Sequence, residues 1–176
     1  MTRVVEWIKM ERKEGQGILR PLGDIMFVGK YQNSIDSKSR LIIPAKFREE
    51  LGGRCVVAQS LDKCLTISTV AEWERFLEEL KALPRSNPEA RMIRRYFNQS
   101  AATCDVDKQG RVTIPQELKE YAGITKELVT IGNIDNIEVW SKENWEKDAF
   151  AQAGEDLTAA DLNASEIAAK LEKFNF

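Results

Sequence analysis

An aspartate and an arginine stand four residues apart at two places in this sequence, as Asp36 with Arg40 and as Asp107 with Arg111. An aspartate at the start of a turn accepts backbone N–H bonds, so the arginine beyond the turn leaves at a defined angle. The planar guanidinium group has donors that match phosphate oxygens or the O6/N7 edge of guanine. The spacing therefore indicates contact with a nucleic acid at both turns.

A structural role is the alternative, because an internal ion pair between the aspartate and the arginine would brace the turn without touching a ligand. The duplication of the motif, a lysine inside each turn and the scarcity of acids in the surrounding strands favour DNA contact. The candidate DNA-binding residues are Lys38, Arg40, Lys108 and Arg111. The candidate turn-fixing residues are Asp36 and Asp107.

The two turns belong to a longer internal repeat with an offset of 71 residues, from Asp36 to Asp107. The other identical pairs are Arg40/Arg111, Ile43/Ile114, Pro44/Pro115, Glu49/Glu120 and Gly52/Gly123. A one-residue insertion after the glycine then pairs Val57 with Val129, Trp73 with Trp145 and Glu74 with Glu146. The repeat favours a chain made of two fused halves.

The same elements are predicted around both turns. The β-branched stretches "RLIIP" and "RVTIP" favour a short strand after each turn. The proline suits the first position of a following helix, and a glycine eight residues later suits a left-handed C-terminal cap. Two further strands follow in each half, near "CVVAQS" and "LTIS" and near "LVTIG" and "NIEVW", and then a helix starts at Thr69 or at Ser141.

The helix after Thr69 carries apolar residues at helical spacing, which predicts a face packed on the core; they are Trp73, Phe76, Leu77 and Leu80. In "RMIRRYF", Arg91, Arg94 and Arg95 fall on one side of another helix, with Met92 and Tyr96, and in part Ile93 and Phe97, facing inward. That arginine side is interpreted as a solvated face, a contact with an acidic surface of a neighbouring subunit, or an extension of the DNA-facing patch.

The repeat divides the chain into four segments. Residues 1–25 are predicted to be a disordered or non-native extension, and natively expressed protein is expected to begin at or after Met26. The first half covers 26–83 and the second 88–150, separated by the turn-prone "LPRSNPE". Residues 151–176 form an acidic, Ala-rich tail that is predicted to be partly helical.

Composition argues against enzymatic chemistry. The 176-residue chain has no histidine, and its three cysteines, Cys55, Cys64 and Cys104, lack metal-ligand spacing. They are predicted to be buried free thiols, with no metal and no cofactor. No apolar run approaches the roughly 20 residues that a membrane-spanning helix needs. The net charge of −2 hides an uneven distribution, since basic residues prevail around both turns and acids prevail from Ser141 onward.

Several long stretches resemble the MraZ family, the two-repeat branch of the AbrB/SpoVT superfamily of transcription factors: "MFVGKYQNSIDSKSRLIIPAKFREELG", "LDKCLTIS", "EWERF", "DKQGRVTIPQELKEYAGI" and "IEVWSKENWE". The resemblance implies an α+β, β-rich fold in which two swapped-hairpin halves form a split β-barrel with peripheral helices. It also implies ring-shaped homo-oligomers that bind repeated DNA elements upstream of the cell-division and cell-wall gene cluster.

The family's DNA-contacting signature is an Asp, two residues, Gly and Arg. It is intact from Asp107 to Arg111, which implies that Gly110 is a further turn-fixing residue, whereas Ser39 replaces the glycine in the first half. If this position needs a positive φ, the serine costs about 1 kcal/mol. The role of Lys38 and Arg40 is therefore inferred less directly than that of their counterparts.

The sequence is interpreted as a DNA-binding transcriptional regulator of the cytoplasm and nucleoid, with double-stranded DNA and further copies of itself as partners and with neither a membrane nor a small-molecule substrate. The alternative is an antitoxin-like interaction protein whose acidic tail, from Gly154 to Phe176, binds a basic partner.

Overall fold

The computed structural model describes residues 26–147 of the chain. Strands and short helices alternate along this range in the order β1 (Phe27–Ser34), β2 (Arg40–Ile42), α1 (Ala45–Leu51), β3 (Arg54–Gln59), β4 (Leu65–Thr69), α2 (Val70–Ala82), α3 (Pro88–Asn98), β5 (Ala102–Asp105), β6 (Arg111–Thr113), α4 (Gln116–Tyr121), β7 (Glu127–Ile134), β8 (Asn136–Ser141) and α5 (Lys142–Lys147). The predicted α+β, β-rich class is confirmed.

The strands form one six-stranded sheet in the order β1-β7-β8-β4-β3-β5 and a separate two-stranded ribbon of β2 and β6, all antiparallel. The first strand of each half pairs with the third strand of the other half, β1 with β7 and β5 with β3. No closed barrel is formed by residues 26–147. The swapped-hairpin, split-barrel arrangement stays a prediction.

The main hydrophobic core draws on both halves of the chain. Leu41 from β2 and Val112 from β6 are fully buried beside Ile43 and Ile114. The ring of Phe47 in α1 makes edge-on contacts with Phe27 at 5.5 Å and with Tyr31 at 5.2 Å between ring centroids. Because residues of both halves fill one core, neither half buries its apolar face alone.

The ends of the short helices differ slightly from the prediction. Pro44 and Pro115 are the N-cap residues of α1 and α4, with extended ψ angles of 136° and 144°, and not their first helical residues. The chain passes directly from strand to helix there, so the proline keeps the extended conformation of the strand. Both predicted cap glycines have a positive φ, 74° at Gly52 and 62° at Gly123. The ψ of −161° at Gly52 lies outside the left-handed helical region, so that cap differs from the prediction.

The cysteines are free thiols, as predicted, but their burial differs. Cys55 and Cys64 are fully buried, and burial raises the pKa of both thiols to about 12. Cys104 is only half-buried, because it lies on the edge strand β5, opposite Cys55 in β3. At neutral pH the thiols of Cys55 and Cys64 are therefore protonated and weakly nucleophilic.

Helices α2 and α3 form a hairpin beside the sheet. Thr69 caps α2 as the sequence predicts, since its Oγ1 accepts the N–H of Glu72 at 3.1 Å. The ring of Phe76 packs edge-on against Phe97 in α3, with centroids 5.0 Å apart. Leu80 is buried, whereas the other predicted core residues of α2 are partly exposed. Within the described range, no helix is long and apolar enough to cross a membrane.

Candidate nucleic-acid interface

The first turn is organised around the carboxylate of Asp36. Its Oδ1 accepts the backbone N–H groups of Lys38 and Arg40, both at 2.9 Å. Its Oδ2 accepts the Arg40 side chain, from Nε at 2.7 Å and from Nη2 at 2.6 Å. Two backbone bonds close the turn, from Asp36 N–H to the carbonyl of Arg40 and from Ser39 N–H to the carbonyl of Asp36. One aspartate thus fixes both the backbone and the arginine.

The second turn repeats this arrangement. Oδ1 of Asp107 accepts the backbone N–H groups of Gln109 and Arg111 at 2.9 Å, and Oδ2 accepts Nε of Arg111 at 2.7 Å. Backbone bonds again join Asp107 to Arg111 and Gly110 to Asp107. The internal ion pair, the structural alternative to DNA contact, is therefore present in both turns.

These ion pairs leave part of each guanidinium group open. An arginine has five N–H donors, and the aspartate takes two from Arg40. Among the described residues, Nη1 of Arg40 and both terminal nitrogens of Arg111 have no hydrogen-bond partner. The two side chains are 28% and 25% exposed, so they are less exposed than a free surface arginine. Their open donors can still reach a ligand that approaches the ribbon.

The aspartates are ionised at any physiological pH. The hydrogen bond from the Arg40 side chain, followed by that from its backbone N–H, lowers the pKa of Asp36 to about 2. For Asp107 the backbone N–H of Arg111 is the main cause that lowers the pKa. Each turn therefore combines a fixed negative charge with an arginine held against it.

The last residue before each arginine has a left-handed backbone. Its φ is 58° at Ser39 and 74° at Gly110. The serine thus occupies a conformation that glycine adopts freely and that costs an L-residue about 1 kcal/mol. The conformational requirement inferred from the family signature holds in both halves.

The ribbon of β2 and β6 presents both arginines on one face. In its register Arg40 lies opposite Thr113, Leu41 opposite Val112 and Ile42 opposite Arg111. Side chains alternate along a strand, so the buried pair Leu41/Val112 defines the core face. Arg40, Ile42, Arg111 and Thr113 lie on the opposite face, where Ile42 is 51% exposed. The face is basic and includes one exposed apolar side chain.

The two candidate lysines flank this face at the turns. Lys38 and Lys108 are both exposed, and no hydrogen bond or ion pair of either side chain occurs among the residues described. They do not occupy equivalent positions of the repeat, because Lys38 aligns with Gln109 and Lys108 with Ser37. Both are free to bind an anion as mobile charges.

Two further cations touch the turns, and sequence reasoning missed both. Nε of Arg48 in α1 donates to the carbonyl of Ile43 at 2.8 Å, and its side chain lies against Gly110. Nζ of Lys119 in α4 donates to Oγ of Ser39 at 3.1 Å. Arg48 and Lys119 are equivalent in the repeat, but the types differ, so a search for identities passes over them.

The arginines of α3 have structural partners. Arg94 donates from Nε to the carbonyl of Leu80 at 2.8 Å and from Nη2 to the carbonyls of Lys81 and Leu83, so it caps the C-terminal end of α2. Arg91 donates to the carbonyls of the preceding loop, at Arg85 and Ser86.

Two other side chains of α3 are exposed, one of them against the prediction. Arg95 is exposed. The expectation that Met92 faces inward is wrong, since it is 60% exposed.

No group of histidine, cysteine, aspartate or glutamate within residues 26–147 could hold a metal ion. What the site offers is a pair of braced arginines, two free lysines and an exposed isoleucine. That composition suits binding to a polyanion.

The pairing of β1 with β7 and of β5 with β3, together with the same Asp–Arg turn in each half, defines a protein of two fused repeats. The chain belongs to the MraZ family. It matches the family described as "MraZ protein, putative antitoxin-like" twice, over residues 26–96 and 97–166. The predicted family membership is confirmed.

Relatives carry the name Transcriptional regulator MraZ. That of Caldicellulosiruptor bescii is 46% identical over 148 residues, which cover 84% of this chain and 98% of the relative. That of Lachnoclostridium phytofermentans is 49% identical over 125 residues, 71% of this chain and 88% of the relative. That of Clostridium botulinum strain Eklund 17B is 46% identical over 138 residues, 78% and 97% respectively. The similarity supports a transcriptional regulator.

Proposed function

We propose that this chain is a sequence-specific DNA-binding regulator that acts at repeated elements upstream of the cell-division and cell-wall gene cluster. It works in the cytoplasm, at the nucleoid, as a ring-shaped homo-oligomer. The DNA contacts come from Lys38, Arg40, Lys108 and Arg111.

One observation carries the DNA-binding part of this proposal. The Asp–Arg turn occurs twice with the same hydrogen bonds, and the ribbon holds both arginines on one exposed face. Diagonal neighbours on a two-stranded ribbon lie about 7–8 Å apart. Two arginines at that separation can contact one stretch of duplex together, and a β-ribbon is narrow enough to enter the major groove.

The contacts divide by chemistry. The braced arginines have planar donor groups of fixed orientation, which suits the O6/N7 edge of guanine or a phosphate. The exposed lysines at the turns are mobile point charges, which suits phosphates and non-specific attraction. The exposed side chain of Ile42, opposite Arg111, can pack on a thymine methyl group.

Two other surfaces support association of copies. A cleft of 310 Å³ beside α2 is lined by aromatic side chains, among them Trp73 and Phe97, and by the carboxylates of Asp62, Glu72 and Asp135. The outer side of α3 presents Met92 and Arg95. An acidic apolar surface and a basic apolar surface at different places favour a head-to-tail contact, which closes into a ring if the rotation allows. Each ring would then hold several weak DNA contacts at high effective concentration.

The alternative is the antitoxin-like interaction protein. It rests on the acidic segment from Gly154 to Phe176, which lies outside the described residues. The matched family's own description includes the word antitoxin-like, and that word applies to the family.

Binding of purified full-length protein to a duplex from the region upstream of its own gene separates the two functions. The control is a shuffled duplex of the same composition, and a variant that ends at Phe150 tests the tail. A regulator binds the upstream duplex more tightly, with a steep salt dependence, and retains this without the tail. Equal, weak binding to both duplexes would reject the proposal.

A further inference from the structure

The helix of each half supports the turn of the other half. In the second turn, Gly110 is buried under the side chain of Arg48, and a Cβ atom at this glycine would overlap the guanidinium group. A backbone hydrogen bond also joins the two halves here, since Ile43 N–H donates to the carbonyl of Gly110 at 2.8 Å. Arg48 itself holds the carbonyl of Ile43 through Nε. The second turn is thus hydrogen-bonded to the segment before α1 and packed against a side chain of α1.

The first turn has the reciprocal contact, made with different residues. Ile114 N–H donates to the carbonyl of Ser39 at 2.8 Å, as Ile43 does at Gly110. Lys119 of α4, the repeat equivalent of Arg48, reaches the Ser39 hydroxyl from Nζ at 3.1 Å. A lysine is narrow and approaches end-on, so the Cβ atom of the serine does not obstruct it. The serine hydroxyl in turn accepts the bond that glycine could not.

We propose that Gly110 with Arg48 and Ser39 with Lys119 are matched positioning pairs, which set the orientation of the two Asp–Arg turns relative to each other and thereby the sequence that they select on DNA. This inference rests on the proposed DNA-binding function. Arg48 requires a glycine at position 110 because its guanidinium group occupies the space that a Cβ atom would take. Lys119 is matched by a serine at position 39 because the hydroxyl oxygen accepts a hydrogen bond from the ammonium group.

The proposal predicts that a residue from one pair cannot be combined with a residue from the other pair without disturbing the turn. A serine at position 110 displaces the Arg48 side chain from the turn and breaks its bond to Ile43. An arginine at position 119 brings a broad guanidinium group against the Cβ atom of Ser39. In each case the turn loses its side-chain support from the other half, while the backbone bond from Ile43 or Ile114 and its own Asp–Arg bonds remain.

The test compares Gly110→Ser with the double variant Gly110→Ser/Arg48→Lys, which copies the Ser39/Lys119 pair into the second turn. The affinities for the upstream duplex and for the shuffled duplex are measured by fluorescence anisotropy, and folding is checked by thermal melting. We expect Gly110→Ser to lose about tenfold in affinity for the upstream duplex, which is 1.4 kcal/mol. Its affinity for the shuffled duplex should change by less than about twofold, since phosphate contacts remain. The double variant should recover most of the loss.

The mirror set keeps the test valid if Gly110→Ser does not fold. Lys119→Arg should weaken discrimination between the duplexes, and Ser39→Gly/Lys119→Arg, which copies the Gly110/Arg48 pair, should restore it. Arg75→Lys is the control and should leave the affinities for both duplexes unchanged, because Arg75 is an exposed residue of α2 that touches neither turn.

The outcomes separate the two levels of inference. If the parent discriminates between the duplexes but a mixed combination does so equally well, or its double variant shows no recovery, the positioning role is wrong. If the parent itself does not discriminate, the proposed function is wrong and the positioning role falls with it. Recovery in either double variant supports the matched pairs.

Discussion

Leu41 in β2 lies directly opposite Val112 in β6, and both side chains are fully buried. This contact fixes which face of the ribbon is turned toward solvent. Arg40 and Arg111 lie on that outer face, each next to one member of the buried pair. A slip of one residue between the strands would turn one of the two arginines toward the core face, so the core contact determines the candidate DNA surface.

Replacing either ribbon arginine should weaken DNA binding with little effect on stability. Arg40→Ala or Arg111→Ala removes an ion pair that is partly exposed, and such pairs stabilise a fold only weakly. A lost bidentate base contact weakens binding by roughly 1–3 kcal/mol and relaxes sequence preference. Fluorescence anisotropy with the upstream and shuffled duplexes measures both effects.

The matched control for that change is Arg75→Ala. Arg75 in α2 is also paired with an acid three residues away, Glu72, at 2.7 Å, but it lies outside the ribbon. Its replacement should leave DNA affinity unchanged. If Arg40→Ala and Arg111→Ala also melt and bind like the parent, both arginines only brace their turns.

The exposed lysines should contribute charge without sequence preference. Lys38→Ala and Lys108→Ala should each weaken binding to both duplexes alike and lower the slope of log affinity against log salt by about one. Lys81→Ala is the control, since Lys81 is an exposed lysine of α2 that pairs with Glu78. An unchanged salt slope in both turn variants would exclude them from the interface.

The turn aspartates should confer a pH dependence on stability that appears only in acid. The folded-state pKa of Asp36 is lowered from 3.8 to about 2, and that of Asp107 is also lowered, so their stabilisation is full above the unfolded pKa. It is lost as the pH falls through the folded value. Asp36→Asn/Asp107→Asn should melt earlier than the parent at pH 7, and the difference should shrink between pH 4 and pH 2. A difference that stays constant with pH would contradict this.

The hairpin between β7 and β8 carries a strained residue. Ile134 has a φ of 62°, which a β-branched side chain rarely adopts, and it is 67% exposed. Ile134→Gly should therefore raise the free energy of unfolding by about 1 kcal/mol, measured by urea denaturation. The control Val28→Gly, in the ordinary backbone of β1, should lower it. A destabilised Ile134→Gly would show that the isoleucine makes a needed contact.

Association should depend on charge at the outer side of α3. Arg95→Glu should reduce the molar mass measured by light scattering, if Arg95 meets the acidic cleft of the next copy. Adding Asp62→Lys/Asp135→Lys should restore part of the mass by exchanging the charges. Lys81→Glu, an exposed change on α2, should have no effect. A parent that is monomeric across micromolar concentrations would contradict the ring.

Much of the local structure follows from the sequence. Proline, glycine and β-branched residues at fixed spacing predict the short strand and the short helix after each Asp–Arg turn, and Asp36 and Asp107 are placed where their carboxylates meet nearby backbone N–H groups. These interactions join residues four or fewer apart along the chain. Local conformational preferences and the internal repeat are therefore enough to predict these interactions.

The sequence by itself determined the two halves, their elements, the positions of the Asp–Arg turns and the family. Only the tertiary structure decided which strand pairs with which, that Arg48 rests on Gly110, that Lys119 bonds to Ser39 and that Arg94 caps α2. Each of these contacts joins segments far apart along the chain. Periodicity within a segment specifies which face is buried but not which partner covers it, so the pairing depends on how both halves fill one core.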